Sequence, residues 1–196
     1  MRPIVLASTS SARRHLLDQL GLDFVAIGSG VDEAAVTDPS PDGLALVLAQ
    51  AKARAVAARS PDAWVIGCDQ VAFDPATPGC WGKPRDPTDH LSRLLRERGR
   101  LHVLASGWCV VGAEGEQSGV AYARLWMRAD LEEAELRAYV AGGEGTGCAG
   151  GYAVEGRGGA LFERVEGDHS TILGLPVGPV LGALRAWGWR MPRGHL

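Results

Sequence analysis

Apolar positions recur along the chain with both a two-residue and a 3.6-residue period, which predicts a mixture of strands and helices. In chain order, the pattern predicts a strand over 3–8, a helix from Ser10 or Ser11 to Gly21, a helix from Ser40 to about Arg59, a strand over 64–73, a helix over 88–97, strands over 101–111 and 120–127, a helix over 131–140, a strand over 160–165 and a helix over 177–187. This alternation is typical of an α/β or mixed α+β fold built on a mixed sheet.

Length and composition agree with one globular domain over residues 1–196. The chain is 46% hydrophobic and 22% charged, so it can bury a sizeable core. A formal net charge of -3 provides no general field for a nucleic acid, and any phosphate binding must come from a local group of basic side chains. No apolar stretch predicts a membrane span or a secretory leader, and the four cysteines form no C-x-x-C pair. We therefore expect a cytoplasmic protein with unpaired thiols.

The turn after the first strand has the composition of an anion site. Arg13 and Arg14 fall in the first turn of the first predicted helix, where the helix dipole is unfavourable for cations. A bound anion would remove that conflict, and guanidinium groups match phosphate in a bidentate way. With the hydroxyls of Ser8 and Ser10, the two arginines form a candidate cradle for a triphosphate. The alternative is a pair of exposed arginines on a surface helix.

Two charged residues lie within or beside apolar patterns. Asp69 interrupts the apolar run 64–73, where an ionised carboxylate needs a metal, a cation or several hydrogen bonds. Its alternative role is to cap a neighbouring loop. Lys52 lies at the edge of the apolar stripe of the second helix and not on its polar face, and its alternative role is a lysine that snorkels to solvent.

Three further positions are candidates in loops. Lys83 stands in a Gly/Pro loop that can fix its backbone while the ammonium reaches a phosphate. Asp32-Glu33 follows a glycine turn and offers oxygen ligands of the kind that Mg²⁺ prefers. Glu155 follows a glycine-rich stretch. Each of these residues is also compatible with a plain solvated surface.

Taken in order, these signals resemble the Maf family of nucleotide pyrophosphatases. The resemblance covers nearly the whole chain and rests on the motifs Ser8-x-Ser10-x-x-Arg13-Arg14, Asp32-Glu33, Leu48-Ala49-Gln50-x-Lys52-Ala53, Gly67-Cys68-Asp69-Gln70-Val71, Gly82-Lys83-Pro84, Cys148-Ala-Gly-Gly-Tyr152, Glu155-Gly-x-Gly158, Leu161-Phe-Glu-Arg-Val-Glu-Gly167 and Leu173-Gly-Leu-Pro176. It implies an elongated mixed sheet flanked by helices, in two lobes with a central cleft. It also implies a homodimer and a divalent metal, Mg²⁺ or Mn²⁺.

The resemblance further implies roles for single residues. Asp69 would be the general base. The triphosphate would be held, and the charge on its leaving group neutralised, by Arg13, Arg14, Lys52 and Lys83. Glu33 and Asp69 would hold the metal. Gln70 and Glu155 are similar to the residues of the branch that acts on 7-methyl-GTP and would read the base. The dTTP/UTP branch has threonine and glutamine at those two positions. The 7-methyl-GTP branch usually has a large aromatic residue at the position of Ala12. The resemblance therefore implies that the base site of this chain lacks that stacking surface.

Two other functions stay open at this point. One is a non-catalytic nucleotide-binding regulator of cell division. The presence of Asp69 disfavours this alternative. The other is a house-cleaning pyrophosphatase for another non-standard nucleotide, which substrate ranking would distinguish.

Overall fold

The computed structural model describes residues 2–191, and its strands form a six-stranded mixed sheet flanked by helices. The strands are β1 (Ile4–Leu6), β2 (Phe24–Ala26), β3 (Trp64–Phe73), β4 (Leu101–Gly112), β5 (Gly115–Met127) and β6 (Phe162–Glu166). The helices are α1 (Ser11–Gln19), α2 (Pro41–Ala57), α3 (Pro87–Glu97), α4 (Glu133–Ala141), α5 (His169–Ile172) and α6 (Val177–Ala186). The predicted fold class is confirmed.

The sheet combines parallel and antiparallel pairs in the order β2-β1-β3-β4-β5-β6. β1 is parallel to both β2 and β3, whereas β5 and β6 are antiparallel. The chain divides into two compact units. The first comprises the described residues of Met1–Asp69, Ser106–Ala121 and His169–Leu196, and the second comprises Gln70–Ala105 and Tyr122–Asp168. The strands β3, β4 and β5 each contribute residues to both units.

In the first unit, helices cover both faces of the sheet. Side chains of a strand alternate between faces, so Ile4 and Leu6 of β1 lie in one apolar cluster and Val5 lies in another. The cluster of Ile4 and Leu6 also contains residues of α1 and α6, and the cluster of Val5 contains Val56 of α2. In β3 the same alternation places Asp69 on the face that α2 covers.

Two glycines let α2 approach the sheet very closely. A β-carbon at Gly67 of β3 would lie 2.3 Å from the carbonyl oxygen of Ala49, and one at Gly107 of β4 would lie 2.2 Å from that of Ala45. Ala45, Ala49 and Ala53 recur every four residues, so they present one small-residue face of α2 to the strands. Backbone therefore packs on backbone here, and side chains beside this face are drawn into the interior.

The second unit is built around α3 and α4, which pack on each other. Its loop over 75–86 is joined to β3 through an isolated bridge between Ala72 and Trp81. An aromatic cluster is buried in this unit: the ring of His102 stacks on Tyr152 at 5.8 Å, and Phe162 packs on the edge of both rings.

Most predicted elements are present. The start of β5 was predicted wrongly, and two short elements were missed. β5 begins at Gly115 rather than Val120, because its first half is polar and carries no alternating apolar signal. β2 and α5 were not predicted, since segments of three and four residues are too short to show a period. None of the helices within 2–191 has the length and apolar character that a bilayer crossing requires. All four cysteines lie in this range and are unpaired.

Candidate active site

A buried lysine lies between two carboxylates in the first unit. The Nζ atom of Lys52 forms an ion pair with Asp69, and it lies 2.7 Å from Oε1 of Glu33. Lys52 and Asp69 are 6% and 7% exposed, whereas the side chain of Glu33 is 58% exposed. Three residues that are far apart in the sequence therefore meet at one ammonium group. The alternative that Lys52 snorkels to solvent is wrong.

The close packing of α2 explains why this lysine is buried. Lys52 is next to Ala53, whose backbone nitrogen would lie 2.7 Å from a β-carbon at Gly67. Lys52 lies seven residues after Ala45, so it is on the face of α2 that packs on the sheet, and its side chain meets Asp69 of β3. Glu33 reaches the same point from a short 3-10 helix, Glu33–Ala35, whose first turn is capped by the side chain of Asp32.

Burial changes the acidity of Asp69. Desolvation raises the pKa of its carboxyl group, while Lys52 and Arg13 act in the opposite direction and Glu33 acts in the same direction as burial. An aspartate with a raised pKa is a stronger base than an exposed one. Next to it, burial raises the pKa of the Cys68 thiol to about 12, so that thiol stays protonated and unreactive at neutral pH.

Arg13 is anchored by backbone carbonyls close to this cluster. Its Nε donates to the carbonyl oxygen of Gly174 at 2.8 Å, and its Nη1 donates to that of Cys68 at 2.8 Å and to Oγ of Ser8 at 3.4 Å. These bonds tie the first helix to β3 and to the segment before α6. The Nη2 group has no hydrogen-bond partner within the described residues, so it remains available to a ligand.

The other residues of the predicted cradle lie at the start of α1. Ser10 is the N-cap, and its hydroxyl accepts from the backbone nitrogen of Arg13 at 3.4 Å. The hydroxyl of Ser8 accepts from the backbone nitrogen of Ser10 at 3.2 Å. Ala12 is half-buried and Arg14 is exposed, and within the described residues the Arg14 side chain forms no ion pair. The serines thus shape the turn, and Arg14 offers an unpaired charge at a helix N-terminus, where anions bind.

The remaining predicted residues belong to the second unit. Gln70 follows Asp69 in β3 and is half-buried, while Lys83 and Glu155 are exposed. Lys83 and Glu155 lie within electrostatic reach of one thiol: burial raises the pKa of Cys148, Glu155 raises it further and Lys83 lowers it. The structure therefore brings Lys83 and Glu155 into one neighbourhood of this unit. The loop of Lys83 is held by a hydrogen bond from Nη1 of Arg93 to the carbonyl oxygen of Gly82.

Glu33 and Asp69 carry carboxylate oxygens, and Mg²⁺ in nucleotide sites commonly takes one or two carboxylates together with phosphate oxygens and water. In this structure both carboxylates are directed at the ammonium group of Lys52. Within residues 2–191, no group of three or more His, Cys, Asp or Glu side chains is close enough to hold a metal by itself. The chemistry of the two carboxylates suits a hard cation, but such an ion would have to share their oxygens with Lys52 and complete its ligands with phosphate and water.

Comparison with known proteins decides the family. Residues 3–187 match the family described as Maf-like protein. The chain belongs to the Maf family. A dTTP/UTP pyrophosphatase of Deinococcus radiodurans is 45% identical over 94% of this chain and 93% of its own length. A dTTP/UTP pyrophosphatase of Pelotomaculum thermopropionicum is 38% identical over 97% of this chain and its full length. A nucleoside triphosphate pyrophosphatase of Bradyrhizobium diazoefficiens is 42% identical, with 94% and 93% covered.

Some contacts at the candidate site of this Maf chain could not be predicted from its sequence. The carbonyl groups of Cys68 and Gly174 orient Arg13, but a backbone carbonyl is present at every residue and carries no sequence signal. The pairing of Glu33 with Lys52 was not predicted either, because an acidic residue in a loop is compatible with many partners. The burial of Lys52 had one sequence signal, the alanines at every fourth position of α2.

Proposed function

We propose that this Maf chain is a nucleoside triphosphate pyrophosphatase, which hydrolyses the bond between the α- and β-phosphates and releases a monophosphate and pyrophosphate. The observation that carries the proposal is the buried pair of Lys52 and Asp69, joined by Glu33, in a chain 45% identical to a protein named as such an enzyme. Buried charges of this kind, with a perturbed carboxyl pKa, cluster at functional sites.

In this proposal Asp69 is the general base. It accepts a proton from a water molecule whose oxygen attacks the α-phosphorus. A bond forms between that oxygen and the α-phosphorus, and the bond to the bridging oxygen of the β-phosphate breaks, so pyrophosphate leaves with the electron pair. The raised pKa of Asp69 supports this role, because a base is most effective when its pKa is near the working pH. Lys52 orients the carboxylate through their ion pair.

Positive groups near the site would hold the triphosphate. Arg14 and the Nη2 group of Arg13 are available at the start of α1, and Lys83 is the predicted contact from the second unit. With Lys52 these groups carry four positive charges, and Glu33 and Asp69, which pair with Lys52, offset two of them. The side chains alone therefore leave a surplus too small for a triphosphate. Glu33 and Asp69 are the residues that would hold a divalent cation, which would add the missing positive charge and polarise the phosphate.

The nucleotide has two candidates, each with its own support. Gln70 and Glu155 favour 7-methyl-GTP: the carboxylate of Glu155 can accept hydrogen bonds from the guanine edge and favours the positive charge of a methylated base. The relatives named dTTP/UTP pyrophosphatase favour a pyrimidine instead. We propose 7-methyl-GTP and take the pyrimidines as the second candidate.

The test is product analysis with purified protein, Mg²⁺ or Mn²⁺, and 7-methyl-GTP, GTP, dTTP, UTP, CTP and ITP in ¹⁸O-labelled water. We expect pyrophosphate and ¹⁸O in the monophosphate, with the highest kcat/KM for 7-methyl-GTP. Highest activity on dTTP and UTP would keep the reaction and replace the nucleotide, and highest activity on ITP would indicate the house-cleaning alternative. Label in pyrophosphate would contradict attack at the α-phosphorus. Binding without turnover of any nucleotide would support the regulatory alternative.

The homodimer and the cytoplasmic location stay predictions. Sedimentation equilibrium of the purified chain tests the first.

A further inference from the structure

The segment that carries Glu155 is one of the most glycine-rich parts of the chain. Gly150 and Gly151 have φ values of +84° and +83°, a region that residues with a β-carbon rarely adopt. Glycine also gives the unfolded segment more freedom than any other residue. An exposed side chain on such a segment has a defined position only if other parts of the protein hold the backbone.

The hydroxyl of Tyr139 binds this segment at Ala153 and lies close to it at two glycines. Tyr139 lies in α4 and is 4% exposed, and its hydroxyl oxygen accepts a hydrogen bond from the backbone nitrogen of Ala153 at 3.0 Å. A β-carbon at Gly145 would lie 2.9 Å from this oxygen, and one at Gly158 would lie 2.8 Å from it. Three separate stretches of the segment therefore meet at one side-chain atom.

Glu155 lies on a turn that is held at both ends. The Ala153 end is bound to Tyr139, and the Gly158 end donates its backbone N–H to Oε1 of Glu144 at 3.0 Å. Between them, the backbone nitrogen of Gly156 donates to the carbonyl oxygen of Ala153 at 3.2 Å. Glu155 is thus an exposed residue on a backbone whose two ends are fixed.

We propose that Tyr139 is a specificity-positioning residue that fixes the turn from which Glu155 selects the base. This inference rests on the proposed function, in which Glu155 reads the nucleotide. Without the hydroxyl, the N–H of Ala153 loses its acceptor and the turn relaxes, while the ring of Tyr139 still fills its place. The effect falls on the choice between nucleotides and leaves kcat for the best nucleotide close to the wild-type value, because Tyr139 contacts none of the reacting groups.

The experiment compares Tyr139→Phe with a matched control, Tyr152→Phe. Tyr152 is 3% exposed, and its hydroxyl has no hydrogen-bond partner within the described residues. Affinities for α,β-methylene analogues of 7-methyl-GTP, GTP, dTTP and UTP are measured by calorimetry, and kcat and KM are measured with the hydrolysable nucleotides. Since one hydrogen bond is worth about 1 kcal/mol, we expect Tyr139→Phe to lower the affinity ratio of the best to the poorest nucleotide by about three- to tenfold.

Three further variants test the role of Tyr139. Tyr152→Phe keeps the wild-type ratio within about twofold, since no hydrogen bond is lost. Tyr139→Phe adds no further loss of selectivity to Glu155→Ala, because both changes remove the same interaction. Glu144→Ala releases the other end of the turn and lowers the ratio in the same direction, so the inference does not depend on one variant.

The outcomes separate this inference from the proposed function. If Glu155→Ala changes the ratio and Tyr139→Phe does not, the role of Tyr139 is refuted and base reading by Glu155 stands. If Tyr139→Phe weakens all nucleotides equally, Tyr139 is only structural. If Glu155→Ala leaves the ratio unchanged, base reading fails and this inference fails with it. Binding of the analogues does not require turnover, so each result holds for an inactive chain as well.

Discussion

Replacing Lys52 with methionine would leave the buried carboxylate of Asp69 without its cation. The side chains of Lys52 and Asp69 are 8% and 10% exposed, so little water can replace the ammonium. Removing one partner of a buried ion pair costs about 3 to 5 kcal/mol. Methionine has similar length and keeps most of the packing. The loss of folding free energy therefore reports mainly on the charge of Asp69.

Protonation of Asp69 sets an upper limit on this loss. In the unfolded chain its pKa is about 3.9, and each pH unit above that value costs about 1.36 kcal/mol if the folded state must keep the proton. The limit is therefore about 4 kcal/mol at a pH near 7 and about 1.5 kcal/mol at a pH near 5. A carboxyl group whose pKa rises on folding stabilises the folded state less as pH increases. Since Lys52 opposes that rise, the variant should lose stability relative to the wild type between these pH values.

Urea denaturation followed by tryptophan fluorescence measures this difference, because Trp64 and Trp189 are buried in the first unit. The matched control is Lys52→Met combined with Asp69→Asn, which carries no charge at either position and should lose the pH dependence. A difference in the free energy of unfolding between wild type and Lys52→Met below about 1 kcal/mol at a pH near 7 would mean that Asp69 is solvated without Lys52. A difference that does not change with pH would mean the same. Either result would contradict the predicted cost of burying Asp69 without its cation.

Two other predictions concern the packing of α2 and the second unit. Gly67→Ala should destabilise the protein by about 3 kcal/mol and lower activity, since the added carbon would lie 2.3 Å from backbone of α2. Gly178→Ala in α6 is the control in urea denaturation, because its added carbon would have no atom within 4 Å apart from its neighbours in the chain and the backbone of its own helix. Equal effects of the two changes would contradict the close approach. Burial lowers the pKa of His102 from 6.5 to about 4. The neutral ring thus contributes stability above pH 6.5 that is lost as pH falls towards 4, about 3 kcal/mol in all. His102→Phe should remove this dependence, and parallel stability curves for the two proteins would show that His102 does not cause it.

The long elements of the fold were predictable because burial imposes a period on their residues. β3 is apolar from Trp64 to Phe73 on both faces and was predicted with its observed bounds. α2 was predicted from Pro41 and its apolar stripe. In contrast, the first half of β5 is polar, and its backbone hydrogen bonds leave no trace in side-chain character. The periodicity of apolar residues arises from burial, so it does not predict strands that are exposed.

The candidate site was predictable as a set of residues but not as an arrangement. Asp69 stood out because a carboxylate in an apolar strand needs a partner, and the structure supplies Lys52. The reason for their contact lies in Gly67, where the missing side chain lets α2 approach. That approach is a property of two packed backbones and cannot be deduced from either segment alone. The support of Glu155 by Tyr139 likewise depends on backbone groups that every residue has.

Pyrophosphate release from the wild type and from Asp69→Asn shows whether Asp69 is the base of a nucleoside triphosphate pyrophosphatase. Asp62→Asn, at an exposed carboxylate outside the site, is the control. We expect the wild type and Asp62→Asn to release pyrophosphate at equal rates. Asp69→Asn should have a lower melting temperature, because Lys52 loses its buried partner, but should remain folded at the assay temperature because Glu33 still pairs with Lys52. It should lose at least about a hundredfold in kcat, the usual contribution of a general base. A folded Asp69→Asn with near wild-type kcat would contradict the account.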